Sequence, residues 1–270
     1  MPYYDTQFSL AATVGTFHAP PGYSIRALLF LLAATPSARS RLWPFPGSHR
    51  PRYRGHQPGS GLAGALILAK GGSAIDAAIS ANAVLGVTEP MMNGIGGDLF
   101  LLYWDAKGGK LYGLNASGWA PQGLTIDFLE KGGITSMPEA GIHSVTVPGA
   151  VDGWAKAHQR FGRLSWKELF TPAIYYAENG YSVPEIIRDF WVIGRNRLKQ
   201  TEEAQRLFLP KSRPPALGEV FSNPDLGRSL RLLAEKGARE FYEGDIARAI
   251  VKTSTALGGT IDSRPSMAQR

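Results

Sequence analysis

The chain has 270 residues, of which 44% are hydrophobic and 19% charged; that is long enough to bury a core and too apolar for wholesale disorder. It contains no cysteine, which excludes disulfides, thiolate zinc sites and cysteine nucleophiles. The net charge of +7 does not point to nucleic acid, because residues 1–56 hold six arginines against the single acid Asp5 and so carry +5 of it, whereas a phosphate-binding domain carries its own excess.

Residues 1–53 read as an atypical basic, Pro/Arg-rich leader, and 54–270 as the folded region. The leader's apolar run, Ala27–Ala34, follows Arg26 and is followed by Pro36. It is far shorter than the ~20 residues needed to span a bilayer. It has the length of a signal-peptide core, but the preceding stretch is long and contains Asp5, which makes a poor start for a signal. We read it as a leader outside the fold. The compartment stays open: periplasmic or secreted with a genuine signal, cytoplasmic without one.

Beyond the boundary, Leu62–Lys70 predicts a helix stopped by Gly71 and Gly72. Ser73 and Asp76 form a capping-box pattern that opens a second helix, running to about Leu85 and lined with Ala74, Ala77, Ala78, Ala81 and Ala83. Leu99–Trp104 reads as a buried strand, Asp105–Gly109 as a turn and Lys110–Leu114 as the return strand of a hairpin. A short helix over Thr125–Glu130 and a strand over His143–Val147 precede Pro148-Gly149. Helices follow over 150–161, 165–179, 184–207, 224–236 and 239–256, with Pro184 and Pro224 at helix starts, where a missing N–H is tolerated. Strands followed by a helical second half predict an α+β or layered α/β domain with a helical lobe.

The loop Asn93-Gly94-Ile95-Gly96-Gly97-Asp98 has a helix before it and a strand after it, the reverse of a phosphate-binding loop. It reads as glycine chosen for close backbone packing or positive φ. His18, His49, His56, His143 and His158 show no metal-ligand spacing, so no metal site and no cofactor are expected. His143, on a predicted strand, reads as a hydrogen-bonded core residue. Gly59-Ser60-Gly61 and Ala116-Ser117-Gly118 lack the spacing of a serine nucleophile elbow. Glu168, Glu178, Glu185, Asp189, Glu202 and Glu203 read as solvated helix faces. Taken alone, these residues describe a soluble α/β domain of unassigned role.

Six segments in fixed order nevertheless resemble the γ-glutamyltransferase (glutathione hydrolase) family. They are Gln57-Pro58 through Lys70-Gly71-Gly72-Ser73-Ala74-Ile75-Asp76; Glu89-Pro90 with Gly94-Ile95-Gly96-Gly97-Asp98 and Phe100; Val147-Pro148-Gly149-Ala150-Val151-Asp152-Gly153-Trp154; Phe161-Gly162 with Trp166, Leu169 and Pro172-Ala173; Ala177-Glu178-Asn179-Gly180; and Phe241-Tyr242-Glu243-Gly244 with Gly258-Gly259. The resemblance implies part of a layered αββα sandwich of the N-terminal-nucleophile hydrolase type with a mostly helical lobe, incomplete without a small subunit. It implies hydrolysis or transfer of the γ-glutamyl group of glutathione and related amides, by a threonine at the new N-terminus of that small subunit.

The sequence departs from this pattern in three ways. The chain ends at Arg270, before any segment resembling the small subunit, so the expectation is an inactive fragment with no catalytic nucleophile of its own. The segment that resembles the family's substrate-binding stretch is Asn115-Ala116-Ser117-Gly118-Trp119-Ala120-Pro121, with Ser117 at the place of an arginine that pairs with the substrate α-carboxylate. Serine cannot supply that charge-assisted clamp. In members with an SGRAP-like form the arginine's place falls on Trp119 instead. Ser117 and Asn115 are thus the candidate substrate-binding residues. Third, Pro51–His56 suits badly the central strand that the family places before Gln57-Pro58. The expected partners are small γ-glutamyl compounds and a small subunit, without nucleic acid or a membrane span. The alternative is a non-catalytic amino-acid- or peptide-binding or interaction module.

Overall fold

The structure, a computed structural model, describes residues 9–10 and 59–262. The rest of the expected leader, with the Ala27–Ala34 run and Pro51–His56, lies outside the described residues. Helix α1 (Ser60–Ala69) packs against α2 (Ala74–Thr88), whose alanines let the two backbones approach. The predicted capping box at the start of α2 is present: Asp76 N donates to Ser73 Oγ at 3.1 Å and Ser73 N to Asp76 Oδ2 at 2.8 Å. The Asp76 side chain is fully buried. Its Oδ2 also accepts from Arg163 N at 2.9 Å and Leu164 N at 3.1 Å, so the cap of α2 also ties down the loop that leads into α5.

The hairpin β2 (Leu99–Asp105) and β3 (Lys110–Ala116) is antiparallel, with Leu99 opposite Ala116 and Asp105 opposite Lys110. The short β1 (Ser9–Leu10), which falls within the expected leader, pairs with β3 at Gly113 and Tyr112. One face of the hairpin rests on α4 (Ala150–Phe161). Glycine is needed at Gly153 for this approach, since a Cβ there would lie 2.5 Å from Leu99 Cδ2 and 2.8 Å from Ala116 Cβ. Phe161 closes the same face against Tyr103 and Tyr112, with ring centroids 4.3 and 5.2 Å apart.

The other helices are α3 (Ile126–Lys131), α5 (Trp166–Asn179), α6 (Glu185–Leu198), α7 (Glu202–Phe208), α8 (Pro224–Lys236), α9 (Ala238–Glu243) and α10 (Asp245–Ala256). The core runs where α2, α5 and α8 meet and is filled by Val84, Leu169, Phe170, Leu230 and Leu233. The α+β class with a helical lobe is as the sequence predicts.

Four local expectations are corrected. Leu99–Trp104 is a strand but not a buried one, since alternate residues Phe100, Leu102 and Trp104 are exposed. His143–Val147 is not a strand: Ile142–Ser144 forms a 3-10 turn, and Val147 N bonds singly across to Trp119 O at 2.9 Å just before Pro148, which has no N–H to offer a ladder. The predicted helix 184–207 breaks at Lys199–Thr201, where Thr201 Oγ1 caps α7 through Ala204 N. The predicted helix 239–256 breaks at Gly244, where the Glu240 carboxylate takes Asp245 N at 2.7 Å and starts α10. A pairing that the sequence did not suggest joins β4 (Tyr181–Ser182) to β5 (Val220–Phe221), with Tyr181, Trp191, Phe208 and Phe221 clustered beneath it.

Candidate active site

The glycine loop leaves α2 and turns into β2 at the open end of the hairpin. Its conformation is set by a ladder of side-chain amides. Trp154 Nε1 donates to Asn82 Oδ1 at 2.9 Å, Asn82 Nδ2 donates to Asn93 Oδ1 at 3.3 Å, and Gly94 N donates to the same oxygen at 3.1 Å. Gly97 O then accepts from Gly149 N at 3.0 Å and Ala150 N at 2.9 Å. The loop therefore docks on the first turn of α4 through a carbonyl and offers it no anion site. Gly94, Gly96 and Gly97 avoid left-handed φ, and a Cβ would meet nothing within 4 Å at Gly94 or Gly96 and only Gly94 O at 3.5 Å at Gly97, so neither sequence-based explanation, close packing or positive φ, applies to them.

The segment after β3 is held across this loop. Asp98 Oδ1 accepts from Gly118 N at 2.8 Å, Asn115 Oδ1 accepts from Ser117 N at 2.9 Å, and Trp119 O accepts from Val147 N at 2.9 Å. A Cβ at Gly118 would run into the carbonyl oxygen of Val147, so only glycine permits the crossing. Beneath it, Tyr242 OH donates to Pro148 O at 3.0 Å and accepts from Asp152 N at 2.9 Å. Burial holds this phenol well above its ordinary range; it is a fixed neutral donor.

The structure thus brings together Asn115 and Ser117, the two residues singled out by sequence, with Asp98, Gly118 and Trp119. Asn115 is exposed and stands opposite Phe100 in the hairpin; Ser117 is half-buried and Trp119 is 42% exposed. Sequence reasoning missed Asp98 and Tyr242 as the groups that fix the segment. The only available signal was an acid ending a glycine loop, and a tyrosine about 90 residues away in sequence from its partner gives none.

The other sequence candidates lie elsewhere. His158 Nε2 is 2.9 Å from Leu164 O and packs edge-on to Trp166. His143 stands edge-on to Phe128, its Nδ1 buried without a hydrogen-bond partner among the described residues, so the expected hydrogen-bonded core role is not met at that atom. Glu185, Glu202 and Glu203 are exposed, Glu168 takes Ser165 N and Oγ, and Glu178 pairs with Arg231. Among the described residues no three His, Cys, Asp or Glu side chains are grouped to hold a metal, and no helix is long and apolar enough to cross a membrane.

Beside the site, the outer face of the hairpin is apolar and uncovered: Phe100 is 70%, Leu102 78% and Trp104 58% exposed, with Leu111 next to Trp104.

Residues 60–264 match the family model for gamma-glutamyltranspeptidase. A glutathione hydrolase-like YwrD proenzyme of Bacillus subtilis is 40% identical over 192 residues, covering 70% of this chain and 36% of the relative. A glutathione hydrolase proenzyme of the same organism is 34% identical over 206 residues, covering 74% and 35%. Among solved structures, a cephalosporin acylase from Bacillus halodurans superimposes with a TM-score of 0.75 at 36% identity, over 86% of this chain and 45% of that one. A gamma-glutamyltranspeptidase from Pseudomonas nitroreducens complexed with L-DON gives 0.70 at 34% identity, over 78% and 62%. The chain spans about a third of the length of these curated relatives.

Proposed function

The chain belongs to the gamma-glutamyltranspeptidase family, and on that footing we propose that it forms one part of an enzyme that hydrolyses or transfers the acyl group of amides. In the form the relatives' names describe, that substrate is glutathione. The site at Asp98, Asn115, Ser117 and Trp119 contributes to holding the acyl group. The nucleophile comes from a second polypeptide segment seated on the outer face of the hairpin, so the 270 residues by themselves do not turn substrate over.

The observation that carries this reading is the exposed row Phe100, Leu102 and Trp104 on β2, an edge strand of the three-stranded sheet, directly beside the candidate site. Large apolar side chains gain about 1.5–3 kcal/mol each on burial, so this face favours a covering layer, as the sandwich architecture of the family requires. The test is release of 4-nitroaniline from a panel of acyl 4-nitroanilides, the L-γ-glutamyl one included. The purified chain alone should release none. Adding a polypeptide that covers the remaining part of the Bacillus subtilis relative should produce release. Turnover by the chain alone, or none with the complement present and bound, would refute the proposal.

A further inference from the structure

Trp119 is the largest side chain at the candidate site, and its main chain is fixed on both sides. The preceding amide, Gly118 N, is held by Asp98 Oδ1 at 2.8 Å, and its own carbonyl is held by Val147 N at 2.9 Å. None of these bonds uses the indole, which remains 42% exposed. A bulky ring on a clamped backbone costs little entropy to order and presents a flat apolar surface. The charge beside it is negative, since the exposed Asp98 carboxylate adjoins Gly118. Two residues along the chain from Asp98, on β2, begins the apolar row of Phe100 and Leu102, with Phe100 directly opposite Asn115.

We propose that Trp119 determines acyl specificity, selecting an acyl group with an apolar or aromatic body that carries no carboxylate. The indole supplies a stacking surface for that body, Asn115 supplies a neutral hydrogen-bonding amide, and Asp98 repels an anionic substituent. A γ-glutamyl group, which carries an α-carboxylate, meets the wrong charge here. This inference rests on the reading that the site handles amides, and it specifies which ones.

The test uses the full 270-residue chain and two small primary amides, phenylacetamide and L-glutamine, titrated by ligand-observed NMR. Phenylacetamide should bind the more tightly, by about 10-fold or more. Trp119→Ala should weaken phenylacetamide by about 3- to 10-fold, the range of one aromatic contact, and leave glutamine unchanged; Trp119→Phe should keep most of the affinity. Trp119→Arg, which introduces a carboxylate-matching fork, should narrow or reverse the preference. The wild-type ratio decides the matter even if a variant folds poorly. Glutamine binding as tightly as phenylacetamide, an unchanged affinity in a folded Trp119→Ala, or no binding of either amide at tens of millimolar would overturn the proposal. The two readings fail separately. Preferential cleavage of the γ-glutamyl anilide by the complemented enzyme would remove this inference and leave amide hydrolysis standing. No cleavage of any anilide, with phenylacetamide still bound through Trp119, would do the reverse.

Discussion

Asp76 shows how one side chain can organise a large part of the fold. A buried carboxylate is tolerated only when hydrogen-bonded, and Oδ2 here accepts three backbone N–H groups, from Ser73, Arg163 and Leu164. Asp76→Ala leaves one buried donor, Ser73 N, and two partly buried ones, Arg163 N and Leu164 N, without their partner, and we expect a loss of about 3–5 kcal/mol in urea unfolding. Only the first of these contacts is legible in the sequence. The capping box lies within one helical turn, whereas Arg163 and Leu164 are brought to Asp76 by the packing of α5 on α2, which no local pattern encodes.

Glu219 gives a second residue-scale expectation. Its carboxylate accepts from Arg213 at 2.8 Å, from Ala216 N at 2.8 Å and from Lys211 at 2.6 Å. The Arg213 bond first, then the Ala216 and Lys211 bonds, lower its pKa to about 2. A carboxylate depressed on folding stabilises the folded state above its ordinary pKa and loses that contribution as pH falls through the folded value. The loop over 211–219 should therefore stay closed down to about pH 4 and open between there and about pH 2. Exchange of the Ala216 amide, followed by NMR across that range, checks this, and Glu219→Gln should remove the pH dependence of that exchange.

At the scale of elements, the hairpin was readable because the apolar run Leu99–Trp104 and the Asp105–Gly109 turn agree with each other, but a continuous apolar run does not show which face is left uncovered. The long helices were readable by their periodicity, but two of them break where a single side chain supplies a competing cap, Thr201 Oγ1 in one case and the Glu240 carboxylate in the other. Both breaks exchange a continuous backbone ladder for a local side-chain bond. The candidate site was half legible. Asn115 and Ser117 stood out through their segment, but what holds that segment is the crossing at Gly118, a contact between distant parts of the chain. The crossing predicts that Gly118→Ala is far more damaging than its chemistry suggests, because the new methyl group meets the Val147 carbonyl, a backbone atom that cannot turn aside. Gly153→Ala should cost about 1–3 kcal/mol by overpacking, since its methyl group meets Leu99 Cδ2, which can rotate away, and Ala116 Cβ, which moves only with its strand. Thermal unfolding of both variants should show the larger drop for Gly118→Ala, together with loss of phenylacetamide binding.

At the scale of the whole molecule, apolar sheet surface is distributed unequally. The inner face of the hairpin is covered by α4 and Phe161, while the outer face presents Phe100, Leu102 and Trp104 to solvent. Soluble monomers rarely leave contiguous apolar surface of this kind uncovered, and a sheet face is closed by a second layer in stable domains. Without a covering segment, the cheapest substitute is another copy of the same face. Purified alone, the chain should therefore associate, with a light-scattering mass that rises with concentration. A charge in the middle of the row opposes that contact without touching the core, since Leu102 is 78% exposed and a surface side chain can be changed at small cost. Leu102→Lys should shift the population toward monomer, leave the melting temperature within a few degrees of the parent, and weaken capture of the complementing segment in the 4-nitroanilide assay. A chain that is monodisperse and monomeric at high concentration without the substitution would show that this face needs no cover, and would remove the main physical support for a two-part enzyme.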